Sequence, residues 1–231
     1  MIASLAAALI LVAVHWLTPR LTFLSNRPRS RWLSFAGGAS IGYVFLHLLP
    51  ELAHGAELVG EDTALGFGIW GVALAALVGF YGIERMVQSD ALRRRTAGHE
   101  EEPGTFGVHL ASFVVYNLVT GYLLADRAEL WLFVAAMALH LLVTDFGLLE
   151  AFRAGYMRIA RLLLSAALLV GWVVGTVIEV PETWIMYVLA VLGGGVILNV
   201  LKEELPEERE SRFAALVAGV VVFAALVWLD G

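Results

Sequence analysis

Five polar side chains lie inside two apolar stretches of the sequence, VVYNLVTGYLL at residues 114–124 and MALHLLVTDFG at residues 137–147. They are Asn117, Thr120, His140, Thr144 and Asp145. Imidazole, amide and carboxylate groups bind cations or protons, and polar groups inside a membrane helix indicate a functional site. We therefore expect a polar pathway at these residues, to which His109 also belongs.

The spacing of these side chains predicts which of them meet. At about 100° per residue, one sector of the helix that contains Asn117 carries a polar stripe. The stripe consists of His109, Ser112, Tyr116, Asn117 and Thr120. His140 and Thr144 are four residues apart and share a face of the next helix. A short connection makes the two helices antiparallel neighbours, so we expect the middle of the stripe to meet the His140–Thr144 pair near the membrane midplane.

Asp145 points away from His140 on the helical wheel, so this carboxylate must find another partner, a proton or water.

A purely structural role is the alternative for each of these polar residues. Ser, Thr and Asn side chains often only link membrane helices, at about 1 kcal/mol each, and a neutral histidine can do the same. The stripe together with the facing pair favours a present or former pathway.

The composition places the chain in the membrane. Of its 231 residues, 60% are hydrophobic and 16% are charged, and the mean hydropathy is +0.81. A soluble domain has about 25% charged residues, and apolar runs of about 20 residues are long enough to cross a bilayer. The absence of cysteine excludes disulfides, thiolate metal ligands and thiol catalysis. We predict one all-α transmembrane domain over residues 1–231, embedded in a lipid bilayer and without a nucleic-acid partner.

Eight spans are predicted from the length of the apolar runs. They cover roughly residues 2–18, 32–53, 64–87, 106–125, 129–151, 158–178, 182–201 and 212–229. Continuous apolar runs indicate helices, since strands of a membrane barrel alternate in polarity. The first span has neither a basic leader nor a small-residue cleavage site, so we read it as a retained helix.

The basic residues predict the orientation. Fourteen of the fifteen Lys and Arg residues lie at or after the ends of the odd-numbered spans, and only Arg127 lies on the other side. The positive-inside rule assigns the basic side to the cytoplasm, so both termini of this multi-pass cell-membrane protein face outward. The longest cytoplasmic loop, roughly residues 88–104, places His99 beside three glutamates. We read it as a solvated loop, with weak metal binding at His99 as the alternative.

Small residues at four-residue spacing predict close helix packing. The sets are Gly38 with Gly42, Gly71 with Ala75 and Gly79, and Gly171 with Gly175. The run Gly193–Gly195 weakens a helix, which indicates either a helix crossing or a flexible point.

A second histidine and carboxylate share a helix face near the predicted outer end of span two. The segment FLHLLPE places His47 and Glu51 four residues apart, with Pro50 between them. Both are good ligands for a borderline cation such as Zn²⁺, so they predict a cation-attracting vestibule; an ordinary interfacial helix end is the alternative. His15, near the inner end of span one, is interpreted as interfacial.

In topology and in two motifs, the chain resembles the ZIP (Zrt/Irt-like) metal transporters. GGASIGYVFLHLLPE at residues 37–51 is similar to that family's second span. The family's His-Asn-x-x-Glu-Gly motif aligns with YNLVTG, where Asn117 and Gly121 match. Its His-x-x-Pro-Glu motif aligns with HLLVTD, where His140 matches.

The departures from these motifs remove charge. Relative to the family's pattern, both glutamates are threonine, both prolines are valine and one histidine is tyrosine. The residues are Thr120, Thr144, Val119, Val143 and Tyr116. A buried dication needs anionic ligands, and the remaining neutral set is poor for Zn²⁺. Without the prolines, we expect straighter helices.

The resemblance implies a homodimeric transporter with a divalent metal ion, zinc or similar, as its substrate, and no enzymatic activity. The remodelled metal ligands would be His47, Glu51, Asn117, His140 and Asp145. One alternative is a ZIP-fold protein that has lost dication transport and binds a partner or carries another substrate. The other is an intramembrane zinc hydrolase, which lacks the usual H-E-x-x-H or serine motifs. Its ligands would be His15, His47, His109, His140 and Asp145.

Overall fold

Helices form almost all of the computed structural model, which describes residues 1–21, 30–60, 68–97, 103–125, 129–204 and 212–230. Within these ranges the chain has eight helical segments and no strand, as the predicted all-helical class requires. The segments are α1 Ile2–Leu17, α2 Arg31–Val59, α3 Ile69–Ala97, α4 Pro103–Leu123, α5 Leu130–Ala151, α6 Arg153–Val177, α7 Glu182–Glu204 and α8 Phe213–Asp230.

By length and composition, the segments from α2 to α7, and α1 together with the 3₁₀ turn Thr18–Arg20, are long and apolar enough to cross a membrane. The last segment, α8, contains a shorter apolar stretch, Phe213–Leu229. Among the described residues, this pattern is consistent with the predicted multi-pass membrane protein. Most helix bounds lie within a few residues of the predicted spans. The exceptions are α2 and α3, which end six and ten residues later than predicted, and α6, which begins five residues earlier.

The extension of α3 changes the predicted cytoplasmic loop. Residues 88–97 continue α3, and α4 begins at Pro103, so the first part of the connection predicted over residues 88–104 is helical. His99 and the glutamates beside it lie outside the described residues, as does Arg127.

Two helices contain a π-helical turn. In α2 this turn is Val44–Leu48, just before Pro50, whose ring and missing N–H disfavour regular α-helical bonding in the preceding turn. The π turn contains His47. In α6 the turn is Tyr156–Ala160, and Tyr156 is fully buried. Such turns frequently occur at functional sites, and here each one contains a polar side chain that contacts another helix.

Glycines bring three pairs of helices into backbone contact: α2 with α8, α4 with α6, and α3 with α7. A Cβ atom on Gly38 would overlap the carbonyl oxygen of Leu216, and one on Gly171 would overlap that of Leu118. Gly42 and Gly175 face the same partner helices. Both glycine pairs are therefore confirmed as packing positions.

Gly194 lies against the backbone of Ala73, and α7 continues through the three glycines without a break. The run Gly193–Gly195 is therefore a helix crossing. The prediction for Gly79 is wrong, because an added Cβ there would meet nothing within 4 Å.

Helix α5 lies inside the bundle, where it packs against both α1 and α2. Eleven of its residues are buried, including Phe133 and Met137. His140 and Asp145 are each 3% exposed, so both ionisable side chains are held within the protein and not at its lipid-facing surface. Helices α4 and α5 are α-helical throughout and have no break at Val119 or Val143.

Candidate functional site

Four polar side chains from four helices meet in one buried network. His15 Nδ1 of α1 lies 2.6 Å from Asp145 Oδ2 of α5, and His15 Nε2 lies 3.0 Å from Asn117 Oδ1 of α4. The hydroxyl of Tyr156, in α6, is 2.9 Å from Asp145 Oδ2 and 3.0 Å from the His15 carbonyl oxygen. We call His15, Asn117, Asp145 and Tyr156 the buried network.

All four members of the buried network are inaccessible to solvent or nearly so: His15 and Tyr156 are 0% exposed, Asn117 is 1% and Asp145 is 3%. The interpretation of His15 as interfacial is therefore wrong. The expectation that Asp145 must find a partner is confirmed, and its partners are an imidazole and a phenol. At such depth, these hydrogen bonds offset part of the cost of removing the ionisable pair from water.

Contacts beside the buried network fix α1 against α6. The guanidinium carbon of Arg161 lies 4.5 Å from the centre of the Trp16 indole ring, a cation–π contact. Trp16 Nε1 donates to Ser165 Oγ at 3.2 Å. Together with Tyr156, these side chains orient the end of α1, so that the His15 ring is directed toward α5.

The two threonines at the positions of the family's glutamates bond within their own helices. Thr120 Oγ1 donates to the Tyr116 carbonyl oxygen at 2.9 Å. Thr144 Oγ1 lies 3.2 Å from the His140 carbonyl oxygen and 3.1 Å from that of Leu141. Both hydroxyls are thus occupied by main-chain acceptors, a common arrangement for threonine in a helix.

The predicted polar stripe of α4 is divided between two partners. Asn117 hydrogen-bonds His15, whereas the Tyr116 ring lies 5.4 Å, centre to centre, from the His140 ring. No hydrogen bond joins Asn117 to His140 within the described part of the chain. His140 Nε2 is buried and has no hydrogen-bond partner among the described residues.

A second polar set lies where α2 meets the start of α5. His47 Nε2 is 3.6 Å from Glu51 Oε2, as the spacing predicts, and His47 Nδ1 is 3.1 Å from Glu129 Oε2. The side chains of His47 and Glu51 are 13% and 26% exposed, and that of Glu129 is 50% exposed. Two carboxylates, both more exposed than the imidazole, therefore face His47.

A cavity between α3, α4 and α7 contains the third polar set. Its empty volume is about 360 Å³, part of which is open to the surroundings. The polar side chains that line it are Glu84, His109, Ser112, Tyr116 and Asn199. His109 Nε2 lies 3.5 Å from Glu84 Oε2, and the His109 ring stacks on Phe113 at 4.9 Å. We call this space the α3–α4–α7 cavity.

The five predicted metal ligands are distributed over separate places. His47 and Glu51 lie together, Asn117 and Asp145 belong to the buried network, and His140 contacts Tyr116. Among the described residues, no group of three or more His, Asp or Glu side chains is placed so that it could hold a metal ion. The same applies to the ligand set of the hydrolase hypothesis, which is not assembled in this part of the chain.

Sequence reasoning missed Tyr156 as a member of a site and named His15 only as a ligand of the hydrolase hypothesis. It also missed Glu84 and Glu129 as partners of histidines. One signal pointed to the first two: Asp145, in an apolar helix, had to have a partner. For Glu84 and Glu129, only the fold brings the residues together.

No family model matches the chain, and no curated protein matches it. The resemblance to the ZIP transporters therefore depends on the predicted topology and on the motif residues in the sequence.

Proposed function

We propose that the protein is a ZIP-like membrane transporter of divalent metal ions, zinc or a similar ion, with a remodelled path. The observation that supports this most is the α3–α4–α7 cavity. It brings an imidazole and a carboxylate within 3.5 Å of each other beside an amide and a hydroxyl. Nitrogen and oxygen groups of these kinds are ligands for borderline dications.

The path that we propose continues from this cavity through the bundle. Tyr116 lines the cavity and contacts the ring of His140. In the π turn of α2, the His47 ring lies 5.4 Å, centre to centre, from the Tyr43 ring, and His47 faces Glu51 and Glu129. In our topology this second set faces outward and the cavity faces the cytoplasm. Tyr116 and Tyr43 would then lie between the two entrances of the path.

Both termini are proposed to face the outside of the cell, because fourteen of the fifteen basic residues lie on the opposite side. Single cysteines introduced before α1 and after α8 should react with a membrane-impermeant maleimide in whole cells. A cysteine at Gln88 should react only after the cells are opened. Labelling of Gln88→Cys in intact cells would contradict this orientation. The homodimer stays a prediction that comes from the resemblance.

The transport proposal predicts that the purified protein in proteoliposomes takes up Zn²⁺ faster than empty liposomes do. The double variant Glu84→Gln, His109→Gln should reduce the rate by about tenfold or more, since losing metal-site groups typically has effects of this size. Uptake of Zn²⁺ into vesicles loaded with a fluorescent zinc indicator measures the rate.

Glu150→Gln is the matched control, since Glu150 is an exposed carboxylate on α5 that does not line the cavity. This variant should transport like the parent protein. Equal rates for the parent and the double variant would contradict the proposed path. A parent protein that is no faster than empty liposomes would contradict divalent metal transport itself.

A second candidate function is a ZIP-fold membrane protein that no longer carries dications. One observation favours it: the two threonines at the positions of the family's glutamates already bond to their own helices. They add no charge to offset the dehydration of a dication. The failure of zinc uptake in the parent protein would support this function, in which the bundle binds a partner or carries a less charged substrate.

A further inference from the structure

Hydrogen-bond directions around His15 determine which of its ring nitrogens carry a proton. Asn117 Nδ2 donates to the carbonyl oxygen of Phe113 at 2.9 Å, which fixes the orientation of the amide. Asn117 Oδ1 therefore faces His15 Nε2 at 3.0 Å. An amide oxygen can only accept a hydrogen bond, so His15 Nε2 carries a hydrogen and donates it.

The other ring nitrogen of His15 lies 2.6 Å from Asp145 Oδ2. Two lone pairs repel each other at this separation, so a proton must lie between them. The Tyr156 hydroxyl cannot provide that proton, because it points at Asp145 Oδ2 and at the His15 carbonyl oxygen. The pair thus holds one proton in addition to the one on Nε2.

We propose that His15 and Asp145 form a proton-binding site inside the membrane bundle. In the loaded form, an imidazolium faces a carboxylate, or an imidazole faces a carboxylic acid, and the pair is neutral overall. On release, one proton passes from the pair to water, and a neutral imidazole then faces an ionised carboxylate. The bundle must open transiently for this exchange, since both side chains are buried.

Release of the proton changes the contact between two helices. His15 Nδ1 and Asp145 Oδ2 then direct lone pairs at each other, and the hydrogen bond that joins α1 to α5 is replaced by repulsion. The Tyr156 hydroxyl lies within hydrogen-bond distance of Asp145 Oδ2 and of the His15 carbonyl oxygen, so the π turn of α6 is coupled to the same event. The site therefore links the presence of a proton to the relative positions of α1, α5 and α6.

Helices α4 and α6 contribute the other polar and charged groups near the pair. Helix α6 contributes the Tyr156 phenol and the cationic Arg161, which lies over Trp16, the residue next to His15. Helix α4 contributes the neutral Asn117. Within the described residues, Asp145 is the carboxylate in hydrogen-bond contact with His15. This inference does not require the protein to transport a metal, so it can be tested independently of the proposed function.

Nitrogen-15 NMR of the protein in lipid nanodiscs, labelled at histidine, tests the site directly. The variant His15→Gln identifies the His15 signals by their loss. At neutral pH, we expect either both ring nitrogens of His15 in the protonated range, or one protonated nitrogen together with an infrared carboxylic-acid band from Asp145. Either result supports the proposal. A neutral His15 beside an ionised Asp145 would overturn it.

The variant Asp145→Asn provides the matched comparison, because an amide of the same shape can donate to a neutral His15 Nδ1. In this variant, His15 should have one protonated nitrogen. An alkaline titration of the parent protein should release one proton more per chain than the same titration of the variant. Equal proton counts would overturn the proposal. If the variant does not fold, the spectra of the parent protein still decide the question.

Discussion

Replacing Asp145 with alanine should lower the free energy of unfolding by about 3 kcal/mol or more. The change leaves His15 buried without its carboxylate partner and removes one of the two acceptors near the Tyr156 hydroxyl. Breaking a buried ion pair by removing one partner typically costs about 3–5 kcal/mol. Reversible unfolding of the protein in lipid bicelles measures the difference.

The double variant His15→Leu, Asp145→Leu distinguishes the cost of an unpaired group from the contribution of the pair. Apolar replacement of both partners in a buried ion pair is often neutral or stabilising, so the double variant should be more stable than Asp145→Ala.

Thr144→Val is the matched control on the same helix, because the Thr144 hydroxyl bonds the backbone of its own helix. It should change stability by less than about 1 kcal/mol. An Asp145→Ala variant as stable as this control would contradict the assigned role of the pair.

The helical architecture was predictable because long apolar runs have few folded alternatives in a membrane. The glycine pairs were also informative: Gly38 and Gly171 lie at crossings because a four-residue spacing of small residues leaves one flat helix face. Gly79 satisfies the same pattern but faces open space. A spacing pattern therefore identifies a helix face that permits close contact. Only the three-dimensional structure shows whether another helix packs there.

The membership of the buried network was not predictable from spacing. His15 and Asp145 are 130 residues apart in the chain, and no periodic pattern connects residues of different helices. A helical wheel also gives only the relative directions of side chains within one helix. Tyr116 and Asn117 are adjacent and therefore about 100° apart on α4, which is enough to direct one toward α5 and the other toward α1.

The two proposals concern different sides of helix α4. The α3–α4–α7 cavity lies on the Tyr116 side of α4, and the buried network lies on the Asn117 side. Metal transport along the cavity and proton binding at His15 can therefore be altered independently. Glu84→Gln should not change the protonation of His15, and Asp145→Asn leaves every side chain that lines the cavity in place.

The crossing of α4 and α6 holds one side of the buried network in position, and two glycines determine how close the crossing is. A Cβ on Gly121 would overlap the carbonyl oxygen of Leu168, and one on Gly171 would overlap that of Leu118. These clashes involve backbone atoms, so they can be relieved only by moving a whole helix. Gly121→Ala and Gly171→Ala should each lower the free energy of unfolding by about 1–3 kcal/mol.

Gly82→Ala on α3 is the matched control, because an added Cβ there meets nothing within 4 Å. It should be neutral or slightly stabilising, since alanine favours the helix by up to about 1 kcal/mol over glycine in water.

Separation of α4 from α6 should also move Asn117 away from Tyr156. The NMR signals of His15 should then change in Gly121→Ala but not in Gly82→Ala. Unfolding in lipid bicelles and the nitrogen-15 spectra measure the two effects. If Gly121→Ala unfolds like Gly82→Ala, the two helices are not in the close contact that positions the network.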